Sequence, residues 1–246
     1  MTDRPPRPPH PDIYSDNTYL AENPSWHLED SAWKAKQILN MLKRNGLSPQ
    51  SVGEVGCGAG GILSELHATL LPNVTFDGYD VSPQAIALAQ QRQQERLTFH
   101  RGDLLSLPVH FDLLLAMDVV EHVPDYVGFL RALRGKATRH IFHIPLDMNA
   151  QMVLRSGRIM TTRTKSGHLH YFSKETALAT LVDAGYDVVD YFYTAGGVEL
   201  PGRSRLARWP RALAFALNKD LAVRLLGGYS LLVLAQPPPQ AGDLAT

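Results

Sequence analysis

The chain has 246 residues, 44% hydrophobic and 20% charged, enough to bury a sizeable core as one α/β domain with additions. Its 24 basic and 24 acidic residues balance, so no global field announces nucleic acid as a partner. A lone cysteine, Cys57, excludes an intrachain disulfide framework and a multi-cysteine zinc site; the start has no apolar run to serve as a signal peptide, so the expected location is cytoplasmic.

Residues 1–12, rich in proline, are expected to form a disordered tail, and 13–246 a single domain whose first part, 13–48, is a helical cap. From Ser31 to Lys43 the residues Trp33, Ile38, Leu39 and Leu42 fall at near-helical spacing, and Asn45-Gly46 marks the stop. A short strand is predicted over Ser51–Gly56, a helix over Ile62–Leu70 and a second strand over Val74–Tyr79, ending at Asp80. Ser82-Pro83, as N-cap and first helical residue, opens a helix expected to reach about Arg96. A third strand covers Leu97–His100 and ends at Gly102-Asp103, while the near-continuous apolar run Phe111–Ala116 marks a fourth strand buried on both faces. Tyr126–Arg134 reads as a helix and His140–Ile144 as a fifth strand.

Strands alternating with helices at this spacing predict a parallel, doubly wound sheet in a three-layer α/β/α arrangement. After the fifth strand the pattern changes. Two insertions, 151–172 and 195–228, flank a helix over Lys174–Ala184 with Ser173 as N-cap, and a strand over Tyr186–Tyr193. Residues 152–171 read as irregular, Leu206–Leu226 as helical with a break at Pro210, and Tyr229–Ala235 as a terminal strand. Arg224 and Gly227-Gly228 interrupt the apolar stretch 221–235 and argue against a membrane span.

The strand ends carry the chemistry. Glu54-Val55-Gly56-Cys57-Gly58-Ala59-Gly60-Gly61 is a glycine turn whose backbone can approach a ligand closely, and Asp80, one βαβ step later, suits a pair of ribose hydroxyls. Gly102-Asp103 and Met117-Asp118 follow the third and fourth strands, where open α/β sheets bind ligands. A nucleoside-containing cofactor is the expectation.

In combination these motifs resemble the class I S-adenosylmethionine-dependent methyltransferase family. Residues 54–60 look like its first motif, Asp80 like its ribose-binding acid, Gly102-Asp103-Leu104 like its adenine-recognising segment, and Phe111 through Val123 like its fourth motif. His168-Leu169-His170-Tyr171-Phe172-Ser173 is similar to an element of small-molecule members. The resemblance implies a Rossmann-like sheet of seven strands with an antiparallel last strand, and methyl transfer from S-adenosyl-L-methionine to an oxygen or nitrogen of a small molecule. It places Glu54, Gly56, Cys57, Gly58, Gly60, Asp80, Val81, Asp103, Leu104, Met117 and Asp118 at the cofactor, with Glu54 behind the glycine turn. A nicotinamide oxidoreductase shares the glycine turn and the acid, but an evident Tyr-x-x-x-Lys arrangement is lacking. A non-catalytic nucleoside-binding module is the third reading.

For a proton acceptor the candidates are His143, His122 and His168, with His170 and His27 behind them, since an imidazole can take a proton from a hydroxyl or amine near neutrality. Asp118-x-x-Glu121-His122 could hold a divalent ion, as a similar run does in some ubiquinone-type O-methyltransferases. Histidine suits magnesium poorly, and the expectation is no metal. Two blocks contain no acid: 151–170, with Arg155, Arg158, Arg163 and Lys165, and 200–218, with Arg203, Arg205, Arg208 and Arg211. They point to capture of an anionic group on the substrate, to a solvated surface, or to peripheral membrane contact through 203–211. Trp26-His27 are either an aromatic lid or part of the apolar face that docks the first helix, the role expected of Trp33. The oligomeric state is open.

Overall fold

A computed structural model describes residues 25–26, 28–70, 72–199 and 205–239. The expected tail over 1–12, His27 and Arg203 lie outside the described residues, as do the side chains of Arg205 and Arg208.

Seven strands form one sheet: β1 Ser51–Val55, β2 Thr75–Asp80, β3 Leu97–Arg101, β4 Phe111–Met117, β5 Ala137–Pro145, β6 Asp187–Thr194 and β7 Ser230–Gln236. Their order is β3-β2-β1-β4-β5-β7-β6. The first five pair in parallel, and β7 lies antiparallel between β5 and β6. The seven-stranded, Rossmann-like sheet with an antiparallel last strand is therefore as expected. The chain leaves β1 in one direction for β2 and β3 and returns on its other side for β4 and β5, so the switch point sits at the end of β1.

Helices cover both faces. On one side lie α1 Ser31–Arg44, α2 Gly61–Thr69 and α3 Pro83–Ala89; on the other, α4 Tyr126–Leu133 and the later α7 Lys174–Asp183. β4 shows why both faces need cover: Leu113, Leu115 and Met117 join the core beneath α1, α2 and α3, and Leu114 and Ala116 the core beneath α4 and α7. All five are buried, as period-two alternation within an all-apolar run requires.

Local chemistry sets the boundaries. Ser82 accepts from the Ala85 N–H, and Pro83 opens α3. That helix stops at Ala89 rather than near Arg96, because residues 90–96 are polar throughout and offer the sheet no apolar face; Arg96, at φ 65°, turns the chain into β3. Ser173 and Thr176 form a reciprocal capping box at the start of α7.

The insertions are more regular than expected. Residues 152–171 contain most of α5 (Ala150–Leu154) and all of α6 (Arg158–Lys165). Beyond β6, a helical turn at Gly196–Glu199 precedes α8 (Arg205–Leu217) and α9 (Lys219–Leu226). Pro210 does not break the segment; it lies within α8. The break falls at Asn218, whose side chain accepts from the Leu221 N–H and caps α9. Among the described residues no helix is long and apolar enough to cross a membrane.

Candidate active site

The carboxyl ends of β2, β1, β4 and β5 stand side by side in the sheet, and a cavity of about 550 Å³ runs across them. At β1 the chain turns through Gly56, Gly58 and Gly60 at φ +67°, +54° and +77°. Gly56 has a second reason to be glycine: a Cβ there would meet Val119 Cγ2 at 2.6 Å. At Gly60 a Cβ would strike Phe99 at 2.5 Å, so this third glycine lets the turn pack against β3 instead of lining the cavity.

Asp80, buried at the end of β2, ties that turn down. Its Oδ2 accepts from the Gly58 N–H at 2.9 Å and its Oδ1 from the Ser82 N–H at 2.8 Å. Burial raises its pKa from the ordinary carboxylate value, while these backbone donors pull the other way. Each oxygen keeps a lone pair that a hydroxyl can use.

The opposite flank is ionic. Asp118, just after β4, adopts φ +56° and donates its N–H to the His143 carbonyl at 3.0 Å. Its carboxylate lies 2.7 Å from Lys34 Nζ of α1 and 2.5 Å from His143 Nδ1. Burial alone would raise the Asp118 pKa, but His143 and Lys34 outweigh it and hold the group well below the usual range. For Lys34, burial would lower the pKa, yet Asp118 leads a set of acids that raise it. The second nitrogen of His143 faces Thr194 Oγ1 at 2.9 Å, so both ring nitrogens are engaged by the protein and the ring lies behind the wall. Glu54, also buried, is pushed up to about 8, chiefly by burial, with Lys34 opposing and Asp80 adding.

The far wall comes from residues 166–169. There His168 Nδ1 meets Asp147 Oδ2 at 2.7 Å, and its ring stands edge-on to His122 with centroids 5.0 Å apart. His122 Nδ1 lies 3.2 Å from the Gly167 carbonyl. Glu121 is buried, neither of its carboxylate oxygens has a hydrogen-bond partner, and burial first, then Asp118, raises its pKa well above the ordinary value. One donor atom from each of Glu121, His122 and His168 falls within 4.8 Å of the others, a set that could hold a divalent cation.

Of the expected cofactor residues, Glu54, Gly56, Cys57, Gly58, Asp80, Val81, Met117 and Asp118 line the cavity. Gly60, Asp103 and Leu104 stand outside its lining. Asp103 is exposed and accepts from the Leu105 N–H at 2.9 Å, capping a short turn, and Leu104 is buried in the core. Among the histidines, His122 and His168 line the cavity; His170 lies off it, against Tyr126 and the Val123 carbonyl. Trp26 lines it too. Trp33 instead donates to Glu199 at 2.6 Å and meets the His143 ring edge-on, docking α1 against the segment after β6. None of Arg155, Arg158, Arg163, Lys165 or Arg211 lines the cavity; Arg211 is occupied by Gln151 and the Gly227 carbonyl.

Sequence reasoning missed Lys34 and Asp147. Lys34 had a signal, because it shares a helical stripe with Ile38 and Leu42, and a lysine on a buried stripe needs a partner. Asp147 had none, since 21 residues separate it from His168.

Residues 54–140 match a family described as "Methyltransferase domain". Among curated proteins, norajmaline N-methyltransferase from Rauvolfia serpentina is 30% identical over 108 residues, 41% of this chain and 36% of that one. Ubiquinone biosynthesis O-methyltransferase from Pseudomonas aeruginosa (strain UCBPP-PA14) is 32% identical over 120 residues, 44% of this chain and 50% of that one. This chain thus spans half or less of the length of these relatives. A putative sarcosine dimethylglycine methyltransferase from Galdieria sulphuraria superposes with a TM-score of 0.62 at 14% identity, covering 92% of this chain and 97% of that one. N-methyltransferase NodS from Bradyrhizobium japonicum WM9, solved with S-adenosyl-L-homocysteine, gives 0.58 at 19% identity, covering 91% and 100%. These structures share the fold.

Proposed function

We propose, for a chain that carries a methyltransferase domain of the class I, S-adenosylmethionine-dependent kind, that this cavity binds S-adenosyl-L-methionine and passes its methyl group to a hydroxyl or amine of a small molecule. The observation that supports the reading is one cavity joining the glycine turn, Asp80, the Lys34–Asp118 pair and His168. When bound, the cofactor supplies a sulfonium methyl group. The chain's part is to position, because an in-line displacement gains most from alignment.

Asp80 is suited to the ribose, with the glycine turn admitting the adenosyl group closely. Asp118 offers a negative charge to the ammonium of the amino-acid end and Lys34 a positive charge to its carboxylate, and Glu54 lies between these two flanks. At the far wall His168 can take the acceptor's proton on Nε2. Asp147 accepts from Nδ1–H and thereby fixes the tautomer that leaves Nε2 unprotonated. A second reading rests on Glu121, whose buried carboxylate has no hydrogen-bond partner and lies 3.8 Å from His122 Nε2. With His122 and His168 it would hold a divalent cation that polarises the acceptor oxygen, and a chelator would then abolish activity.

Incubating the protein with methyl-labelled donor and a panel of hydroxyl and amine acceptors tests the proposal. Label transfer that disappears in Asp80→Ala supports it. Failure of every acceptor, together with no affinity for the donor, contradicts it.

A further inference from the structure

Fourteen large apolar side chains stand exposed among the described residues, and nine of them fall in two short stretches, 148–160 and 209–225. Five are Trp209, Leu213, Leu217, Leu221 and Leu225, spaced four apart through α8 and α9. Trp209 is 81% exposed and Leu217 78%, values a soluble helix reserves for its polar face. The inward side of α8 is accounted for by Phe215, stacked on Tyr229, and by Arg211, bonded to Gln151 of α5 and to Gly227. That arginine joins the two insertions. On α5, Val153 and Leu154 are exposed at 68% and 83%, followed by exposed Met160 on α6.

Charge says what this surface meets. Residues 151–170 and 200–218 contain no acid, and Arg155, Arg158 and Lys165 stand exposed beside Leu154 and Met160. Those cations do not line the cavity, which leaves them without a part in the site described above. We infer that the insertions after β5 and β6 form a docking face for an anionic lipid surface, with Trp209, Leu213 and Leu217 entering the headgroup region and the basic residues of 151–170 meeting lipid phosphates. A second copy of the chain fits worse, because a two-fold contact would set each acid-free block close to its own basic charge.

Sedimentation with vesicles tests this on the full chain. Phosphatidylcholine vesicles and vesicles containing phosphatidylglycerol are compared at low and high salt, with the wild type and Leu213→Glu/Leu217→Glu. The expected result is binding to the anionic vesicles, weakened by salt, and reduced by on the order of ten-fold or more in the variant. The far-ultraviolet spectrum and S-adenosyl-L-homocysteine affinity of the variant should match the wild type, since both leucines point away from the fold. Three results would overturn the inference: no partition onto anionic vesicles, equal partition by a folded variant, or a concentration-dependent dimer lost in the same variant.

Discussion

Lys34 Nζ lies 2.7 Å from Asp118 Oδ2, so a salt bridge fastens the first helix to the loop that ends β4, inside the wall of the cavity. Removing one member strands the other, because the lysine side chain is only 12% exposed. Asp118→Asn should therefore cost about 3 kcal/mol in denaturant unfolding at neutral pH. The Asp118 pKa is depressed in the fold, so its stabilisation is present above the ordinary carboxylate range and fades as pH falls toward the lower folded value. Wild type and variant should converge in acid; equal unfolding midpoints at neutral pH would refute the role.

Asp80 holds Gly58 and Ser82 through separate oxygens. Asp80→Asn keeps one acceptor oxygen and much of the shape while losing the charge, so S-adenosyl-L-homocysteine should bind about ten-fold more weakly. Asp80→Ala should lose more, at roughly 1.5–3 kcal/mol for each charge-assisted hydrogen bond. Unchanged calorimetric affinity in both variants would place the ribose elsewhere.

Glu54 makes an opposite prediction for pH. Its pKa is about 8 in the fold against an ordinary 4.5, so the native state binds the extra proton across that interval and stability falls as pH rises through it. Glu54→Gln, isosteric and uncharged, should flatten this decline in melting temperature between about pH 5 and pH 8. Parallel curves for the two proteins would show that Glu54 is ionised in the fold.

His168→Gln should lower kcat by about 10²–10⁴-fold with little change in cofactor affinity, the range for loss of a general base. Asp147→Asn should also lower kcat with little change in cofactor affinity, because that carboxylate fixes the tautomer and orientation of the His168 ring. If His168→Gln turned over at the wild-type rate, the acceptor's proton must leave by another route. Sensitivity of the wild type to a chelator would favour the cation reading at Glu121, His122 and His168.

Strands were legible because parallel strands buried on both faces are written as apolar runs: 111–116 announces β4 without help from its neighbours. The glycine turn and Asp80 were legible because each answers a backbone or ligand demand within a few residues. Asp103 shows the limit of that logic. A strand-end acid reads equally as a ligand group and as a cap, and in this structure its carboxylate caps the Leu104 turn. Lys34–Asp118 and Asp147–His168 were hidden because contacts across 84 and 21 positions leave no local spacing. The length of α3 was overestimated because polar helix formers read as helix, whereas tertiary packing decides.

Calorimetric titration of S-adenosyl-L-homocysteine and, separately, NAD into the protein most directly tests whether the cavity across β2, β1, β4 and β5 holds an adenosyl-sulfonium cofactor. The expected result is one site for S-adenosyl-L-homocysteine, weakened in Asp80→Ala, and no comparable binding of NAD. Saturable NAD binding that depends on Asp80, with none for S-adenosyl-L-homocysteine, would contradict it.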